Sequence, residues 1–134
     1  MTLKKYNSVL VVDDSHLDRI IASKVILFNK LSEKVEVVNS GRQGLDYVES
    51  RIDKPGELPD VLFLDIKMPE MDGFEFLEHY ATLPGNVHQV CHVYILSSSV
   101  DQKDLEKAQK SDWVKGYIIK PLSLEKLEQH FGLT

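Results

Sequence analysis

The 134-residue sequence predicts a doubly wound α/β domain, in which a parallel sheet of five strands carries helices on both faces. Three observations predict it. Short, continuously apolar runs such as Val9-Leu10-Val11-Val12 and Val61-Leu62-Phe63-Leu64 do not alternate, as suits strands buried on both faces of a parallel sheet. These runs take turns with stretches of helical periodicity, the spacing of βα units. Several of the runs also end in a carboxylate, a hydroxyl or an ammonium, and open parallel sheets bind ligands beyond the carboxyl ends of their strands.

In chain order, a strand near 8–13 ends in Asp13-Asp14, and Ser15 opens a helix over 15–29. Ser15-His16-Leu17-Asp18 resembles a capping pattern, and Leu17, Ile20, Ile21, Val25 and Leu27 read as the core stripe of that helix. A strand near 34–38 leads to a helix over 41–51. Gly44 within it costs about 1 kcal/mol against Ala and marks either close packing or a yielding helix. The Pro/Gly-bearing stretch 53–59 reads as a connection, and the strand near 60–65 delivers Asp65 to its end before a turn that closes at Asp72-Gly73. A helix over 73–81 and a second connection, 82–90, lead to a strand near 91–96 that ends in Ser97-Ser98-Ser99. After a helix over 101–110, the strand 116–119 ends in Lys120-Pro121. Ser123 then caps an amphipathic helix over 123–131 built on Leu124, Leu127 and Phe131.

The strand ends carry the chemistry. Asp13, Asp14 and Asp65 meet only if the first and third strands are neighbours, and three like charges in one pocket repel unless a hard divalent cation neutralises them. Mg²⁺ is the natural candidate, because it takes a few carboxylates and keeps room for waters and a phosphoryl oxygen. Asp13-Asp14 alone is equally well a helix cap with favourable dipole placement; Asp65 tips the balance. A phosphorylated Asp65 would need a cation such as Lys120 and a donor such as the Ser97 hydroxyl. A Ser run is more often a turn and a Lys before Pro more often a solvated residue, but here each stands at the end of an apolar run.

On these residues the chain resembles the receiver domains of two-component response regulators, single-domain chemotaxis type. The resemblance rests on Asp13-Asp14, the stretch from Asp65 to Gly73 with Met68-Pro69 and Asp72-Gly73, Ser97 after the fourth strand, and Tyr117 before Lys120-Pro121, and it covers almost the whole chain. It implies a flavodoxin-like (βα)5 sandwich of strand order 2-1-3-4-5, and it implies that Asp65 accepts a phosphoryl group from a histidine of a sensor kinase or a phosphorelay protein. Asp14, Asp65 and the backbone carbonyl of Lys67 would bind Mg²⁺, with Asp13 acting mainly through water. Lys120 would hold a phosphoryl oxygen, Ser97 would close on it, and Tyr117 would change rotamer with it. The surface of helix 101–110, strand 116–119 and helix 123–131 would then change for a downstream protein partner. Ser97 in place of Thr, Ser98 in place of a small Ala, Lys67 and Ser99 vary from the commonest pattern. Lys67 and Ser99 border the path of the hydrolytic water, where Lys67 can lean over the phosphoryl group. Lys120-Pro121 is a candidate cis bond. The resemblance thus implies a signalling domain that assists its own phosphorylation and dephosphorylation rather than an enzyme acting on external substrates.

Composition fits one compact domain spanning 1–134, with 43% hydrophobic and 28% charged residues and no length for a separate output domain. A net charge of −5 without a Lys/Arg-rich stretch argues against direct nucleic-acid binding. The lone Cys91 excludes an internal disulfide and suits packing in a reducing compartment. No apolar stretch of membrane-spanning length and no leader pattern at the N-terminus are present, so the expectation is a cytoplasmic monomer or weak dimer. His88, Cys91 and His92 offer three zinc donors but no fourth, so a loop His pair beside a buried thiol is the simpler reading. His16 is placed at the pocket mouth and Trp113 as a plug under helix 101–110. Two other classes are weighed. A phosphohydrolase of the haloacid dehalogenase type wants Asp-x-Asp where this chain has Asp13-Asp14-Ser15, and a phosphorylation-independent binding module would not need the intact set Asp14, Asp65 and Lys120.

Overall fold

The computed structural model describes residues 2–133. Strands β1 (Val9–Val12), β2 (Val35–Val38), β3 (Val61–Leu64), β4 (His92–Ser97) and β5 (Val114–Ile119) form one parallel sheet in the order β2-β1-β3-β4-β5. Helices α1 (His16–Phe28), α2 (Gly41–Glu49), α3 (Gly73–Tyr80), α4 (Gly85–Val90), α5 (Gln102–Lys110) and α6 (Leu124–Phe131) cover it, with a 3-10 turn at Pro55–Glu57.

The apolar runs do what their lack of alternation requires. Every residue of β1 and β3 is buried. Leu10, Val12, Leu62 and Leu64 face a core shared with Leu45 and Val48 of α2, Phe76 and Tyr80 of α3 and Val87 of α4. Val9, Val11, Val61 and Phe63 face the opposite core, made with Ala22 and Ile26 of α1 and Leu127 and Phe131 of α6. A third cluster seats Ala108 of α5 on Ile66 and Ile95. At roughly 1.5–3 kcal/mol for each large apolar side chain removed from water, these two-sided strands hold the layers together.

Helix starts follow local chemistry. Ser15, Ser40 and Ser123 cap α1, α2 and α6, each hydroxyl accepting from the backbone N–H three residues on. Asp72 and Glu75 form a reciprocal capping box at α3. Gly44 marks close packing: a Cβ there would lie 2.9 Å from Val12 Cγ2 and 3.1 Å from Phe76 Cε2.

Four expectations need correction. The stretch 82–90 is not a plain connection but contains α4, whose six residues are too few to display a 3.6-residue period, and 53–59 contains the 3-10 turn. Strand β5 begins at Val114 rather than Gly116, since exposed Lys115 interrupts the apolar run while Val114 pairs with Val93. The core face of α1 is Ala22 and Ile26 with Val25, whereas Leu17 (64% exposed), Ile20 and Leu27 point outward. Trp113 packs against the main core as a hydrophobic plug, stacked on His88 at 4.0 Å between ring centroids and edge-on to Tyr80.

Candidate functional site

Parallel register builds the site. Val12 pairs with Leu64, so the residues that follow, Asp13 and Asp65, emerge side by side, and the Asp65 N–H donates to Val12 O at 3.0 Å. Ser97 pairs with Ile119, so Lys120 emerges beside Ser97 and its N–H donates to Ser97 O at 2.9 Å. β1 and β3 are neighbours although a β-strand and two helices separate them in the chain, and their carboxyl ends form the switch point at which open α/β sheets bind ligands.

Carboxylate oxygens of Asp13, Asp14 and Asp65 all lie within 4.8 Å of one another, with Asp13 and Asp65 buried and Asp14 exposed. Lys120 Nζ sits 2.8 Å from Asp13 Oδ2, 3.4 Å from Asp65 Oδ2 and 2.8 Å from Asp18 Oδ2. Asp13 is otherwise occupied, because its Oδ1 accepts from the Ser15 N–H at 2.9 Å, while the Arg19 guanidinium holds its main-chain carbonyl at 2.8 Å. Asp65 Oδ1 accepts from the Ile66 N–H at 2.8 Å. Burial, reinforced by Asp13, pushes the Asp65 carboxyl up to about 6 against the pull of Lys120 and the Ile66 N–H. Burial alone would lower the Lys120 ammonium, but its bonds to Asp13 and Asp18 and the charge of Asp65 leave it raised. The pocket therefore holds a crowded set of acids around one cation. Hard, oxygen-only donors of this kind fit Mg²⁺.

The turn after β3 is pressed against the acid. Gly73 donates its N–H to Ile66 O at 2.9 Å, and a Cβ on Gly73 would lie 2.5 Å from Asp65 O. Glu70 takes a left-handed conformation at φ 67° within the same turn, and the Lys120-Pro121 bond is cis.

On the other rim, Ser97 is fully buried, and its Oγ accepts from the Ser99 N–H at 3.1 Å. The Tyr117 hydroxyl donates to Ser99 O at 2.9 Å. Ser99 Oγ donates to Asp104 Oδ2 at 2.6 Å, and Lys67 Nζ lies 3.7 Å from that same oxygen. The structure thus gathers Asp13, Asp14, Asp65 and Lys120 into one pocket and links Ser97, Ser99, Tyr117 and Lys67 along its edge. Lys67 does not lean toward the acids; its ammonium is turned to Asp104.

Sequence reasoning missed three neighbours: Asp18, Arg19 and Asp104. A signal existed for the first two, since they follow Ser15 by three and four positions, which turns a first-turn helix residue back toward the cap. His88, Cys91 and His92 gather no metal-ligand set: among the described residues the one group of three or more candidate ligands is Asp13, Asp14 and Asp65. Cys91 is buried at the end of α4, and His16 stays exposed at the rim, 3.4 Å from Arg19 Nη2.

Fold and site together define a doubly wound α/β domain with an acidic, lysine-faced pocket at its switch point. The chain belongs to the response regulator receiver domain family, whose model matches residues 9–131, and it is a receiver domain of two-component signalling. It is 35% identical over 120 residues to the chemotaxis protein CheY of Treponema pallidum, covering 89% of this chain and 76% of that one. It is 28% identical to the sporulation initiation phosphotransferase F of Bacillus subtilis, covering 89% of this chain and 86% of that one. Among solved structures, a two-component response regulator from Cytophaga hutchinsonii superimposes with a TM-score of 0.84 at 29% identity, covering 94% of this chain and 96% of that one. The parallel order β2-β1-β3-β4-β5 and the helices on both faces agree with the architecture expected from the sequence. Among the described residues, no helix is long and apolar enough to cross a membrane.

Proposed function

We propose that Asp65 is the phosphoacceptor of this receiver, taking a phosphoryl group from a histidine of a sensor kinase or phosphotransfer protein in the cytoplasm. The observation that carries this reading is the buried Asp65 carboxylate at the end of β3, within 3.4 Å of the Lys120 ammonium and beside Asp13 and Asp14. A carboxylate oxygen of Asp65 attacks phosphorus, the new O–P bond forms as the P–N bond of the donor breaks, and the imidazole leaves with the electron pair and takes a proton from solvent.

Little covalent chemistry falls to the protein here; positioning and charge neutralisation supply the acceleration. The Ile66 N–H fixes the orientation of Asp65 through Oδ1. Lys120 reaches Asp65 and is the group suited to a phosphoryl oxygen. Asp14, Asp65 and the Lys67 main-chain carbonyl are the groups that would hold Mg²⁺, with Asp13 acting through water, since both Asp13 oxygens are already engaged by Ser15 and Lys120. When bound, the ion supplies positive charge against the transferring group.

Ser97 and Tyr117 would convert the event into a surface change. Ser97 Oγ is held by the Ser99 N–H and Tyr117 by Ser99 O, so drawing Ser97 to the phosphoryl group loosens the segment that anchors Tyr117. The face of α5, β5 and α6 then differs between two states, and a protein partner that binds one of them better reads the signal. Shifting a population from mostly one state to mostly the other takes about 5.5 kcal/mol of differential stabilisation.

Addition of beryllofluoride with Mg²⁺, followed by amide NMR, tests this. Saturable shifts at Ser97, Ser99 and Tyr117 that vanish in Asp65→Asn are expected. Shifts that persist in Asp65→Asn, or none in the wild type, would overturn the reading.

A further inference from the structure

We propose that Asp104 is a positioning residue that sets the lifetime of the phosphoryl group by holding Lys67 away from Asp65. This rests on the reading of Asp65 as the acceptor. Lys67 leaves the end of β3 two residues after Asp65, on an exposed side chain with the nearby acid pocket as one strong attractor. Its ammonium instead lies 3.7 Å from Asp104 Oδ2, a carboxylate on the first turn of α5 that is only 13% exposed.

Asp104 is itself fixed. Its Oδ2 accepts from Ser99 Oγ at 2.6 Å, and Ser99 Oγ in turn accepts from the Asp101 N–H at 3.2 Å. The Ser99 main chain is pinned from two further sides, its N–H to Ser97 Oγ and its carbonyl to the Tyr117 hydroxyl. The carboxylate that captures Lys67 is therefore a rigid fixture, while Lys67 is a flexible arm with four rotatable bonds and a point charge at its tip. A rigid acid competes well for such an arm.

The contest has a direct consequence for hydrolysis. An aspartyl phosphate places extra negative charge at Asp65, which attracts any free ammonium nearby. A Lys67 freed from Asp104 swings toward that charge and stands over the phosphoryl group, in the space that a water must use for in-line attack. With Asp104 present, the arm is drawn off and the path stays open. Asp104→Asn keeps an acceptor for Ser99 but removes the charge that holds Lys67, so it separates this role from a merely structural one.

The test follows the decay of the phosphorylated protein by intact mass after the small-molecule phosphodonor is removed, in wild type, Asp104→Asn, Lys67→Ala and the double variant. Decay at least threefold slower in Asp104→Asn, with no difference between Lys67→Ala and the double variant, is the expected result. Unchanged decay in Asp104→Asn, or the same slowing with Lys67 absent, would overturn the role given to Asp104. If the wild type takes up no phosphoryl group at all, the reading of Asp65 fails instead, which is a distinct outcome.

Discussion

Lys120 Nζ is shared between the pocket and the first helix: it lies 2.8 Å from Asp18 Oδ2 on α1, as close as it lies to Asp13. On the proposed reading, Asp18 is a rival for the cation that would receive a phosphoryl oxygen. Asp18→Asn should raise the rate of phosphorylation by a small-molecule donor severalfold. Because Asp18 is partly exposed, unfolding stability should change by less than about 1 kcal/mol. A time course of adduct formation checks the first outcome and a urea titration the second.

The protonation of Asp65 makes the metal-free protein sensitive to pH. An acid whose folded value is raised, here from 3.8 to about 6 through burial and Asp13, binds a proton more readily when folded. Its contribution to stability is therefore full below its ordinary value and is lost as pH rises through about 6. In chelator at pH 7.5, Asp65→Asn should be more stable than wild type by about 2 kcal/mol, and the gap should close toward pH 4. Mg²⁺ should stabilise the wild type more than the variant, as any ligand selective for the folded state does. Urea midpoints across the pH range measure both effects.

Gly73 is predicted to be intolerant of even one methyl group. A Cβ there meets backbone on both counts, 2.5 Å from Asp65 O and 2.9 Å from Ile66 Cα, and backbone cannot step aside as a flexible side chain can. Gly73→Ala should lose about 2 kcal/mol of stability and, if Asp65 is the acceptor as proposed, most of the uptake of phosphoryl group, because the strain falls on Asp65 itself. Gly56→Ala, with nothing within 4 Å of its Cβ, serves as the neutral control.

Cys91 should be chemically silent while the protein is folded. Burial pushes its thiol up to about 12, only partly offset by the nearby Tyr80 hydroxyl. The reactive form is the thiolate, so at pH 8 its modification by a disulfide reagent should be at least roughly a hundredfold slower in native protein than in denaturant. Fast labelling of the native chain would contradict this packing.

The layered fold was legible because buried parallel strands write themselves as unbroken apolar runs, and the gathering of Asp13, Asp14, Asp65 and Lys120 because polar residues stand at the ends of those runs. What stayed hidden has physical causes. Helix α4 spans fewer than two turns, and the start of β5 is masked by Lys115, which turns to solvent inside the strand. The outward face of α1 misled because Leu17, Ile20 and Leu27 are spaced like a core stripe while small Ala22 and Ile26 do the packing. Asp18 and Asp104 came into view only with side-chain geometry, since sequence places acids on helices without saying what they reach across to. The pairing of the Lys67 ammonium with Asp104 was hidden for the same reason.

The central claim is that Asp65 is a Mg²⁺-dependent phosphoacceptor. Intact mass after incubation with Mg²⁺ and a small-molecule phosphodonor tests it most directly, with Asp65→Asn and a chelated sample alongside. One added phosphoryl group on the wild type, absent from both controls, is the predicted result. An adduct that survives in Asp65→Asn, or no adduct on the wild type together with no response to beryllofluoride, would contradict it.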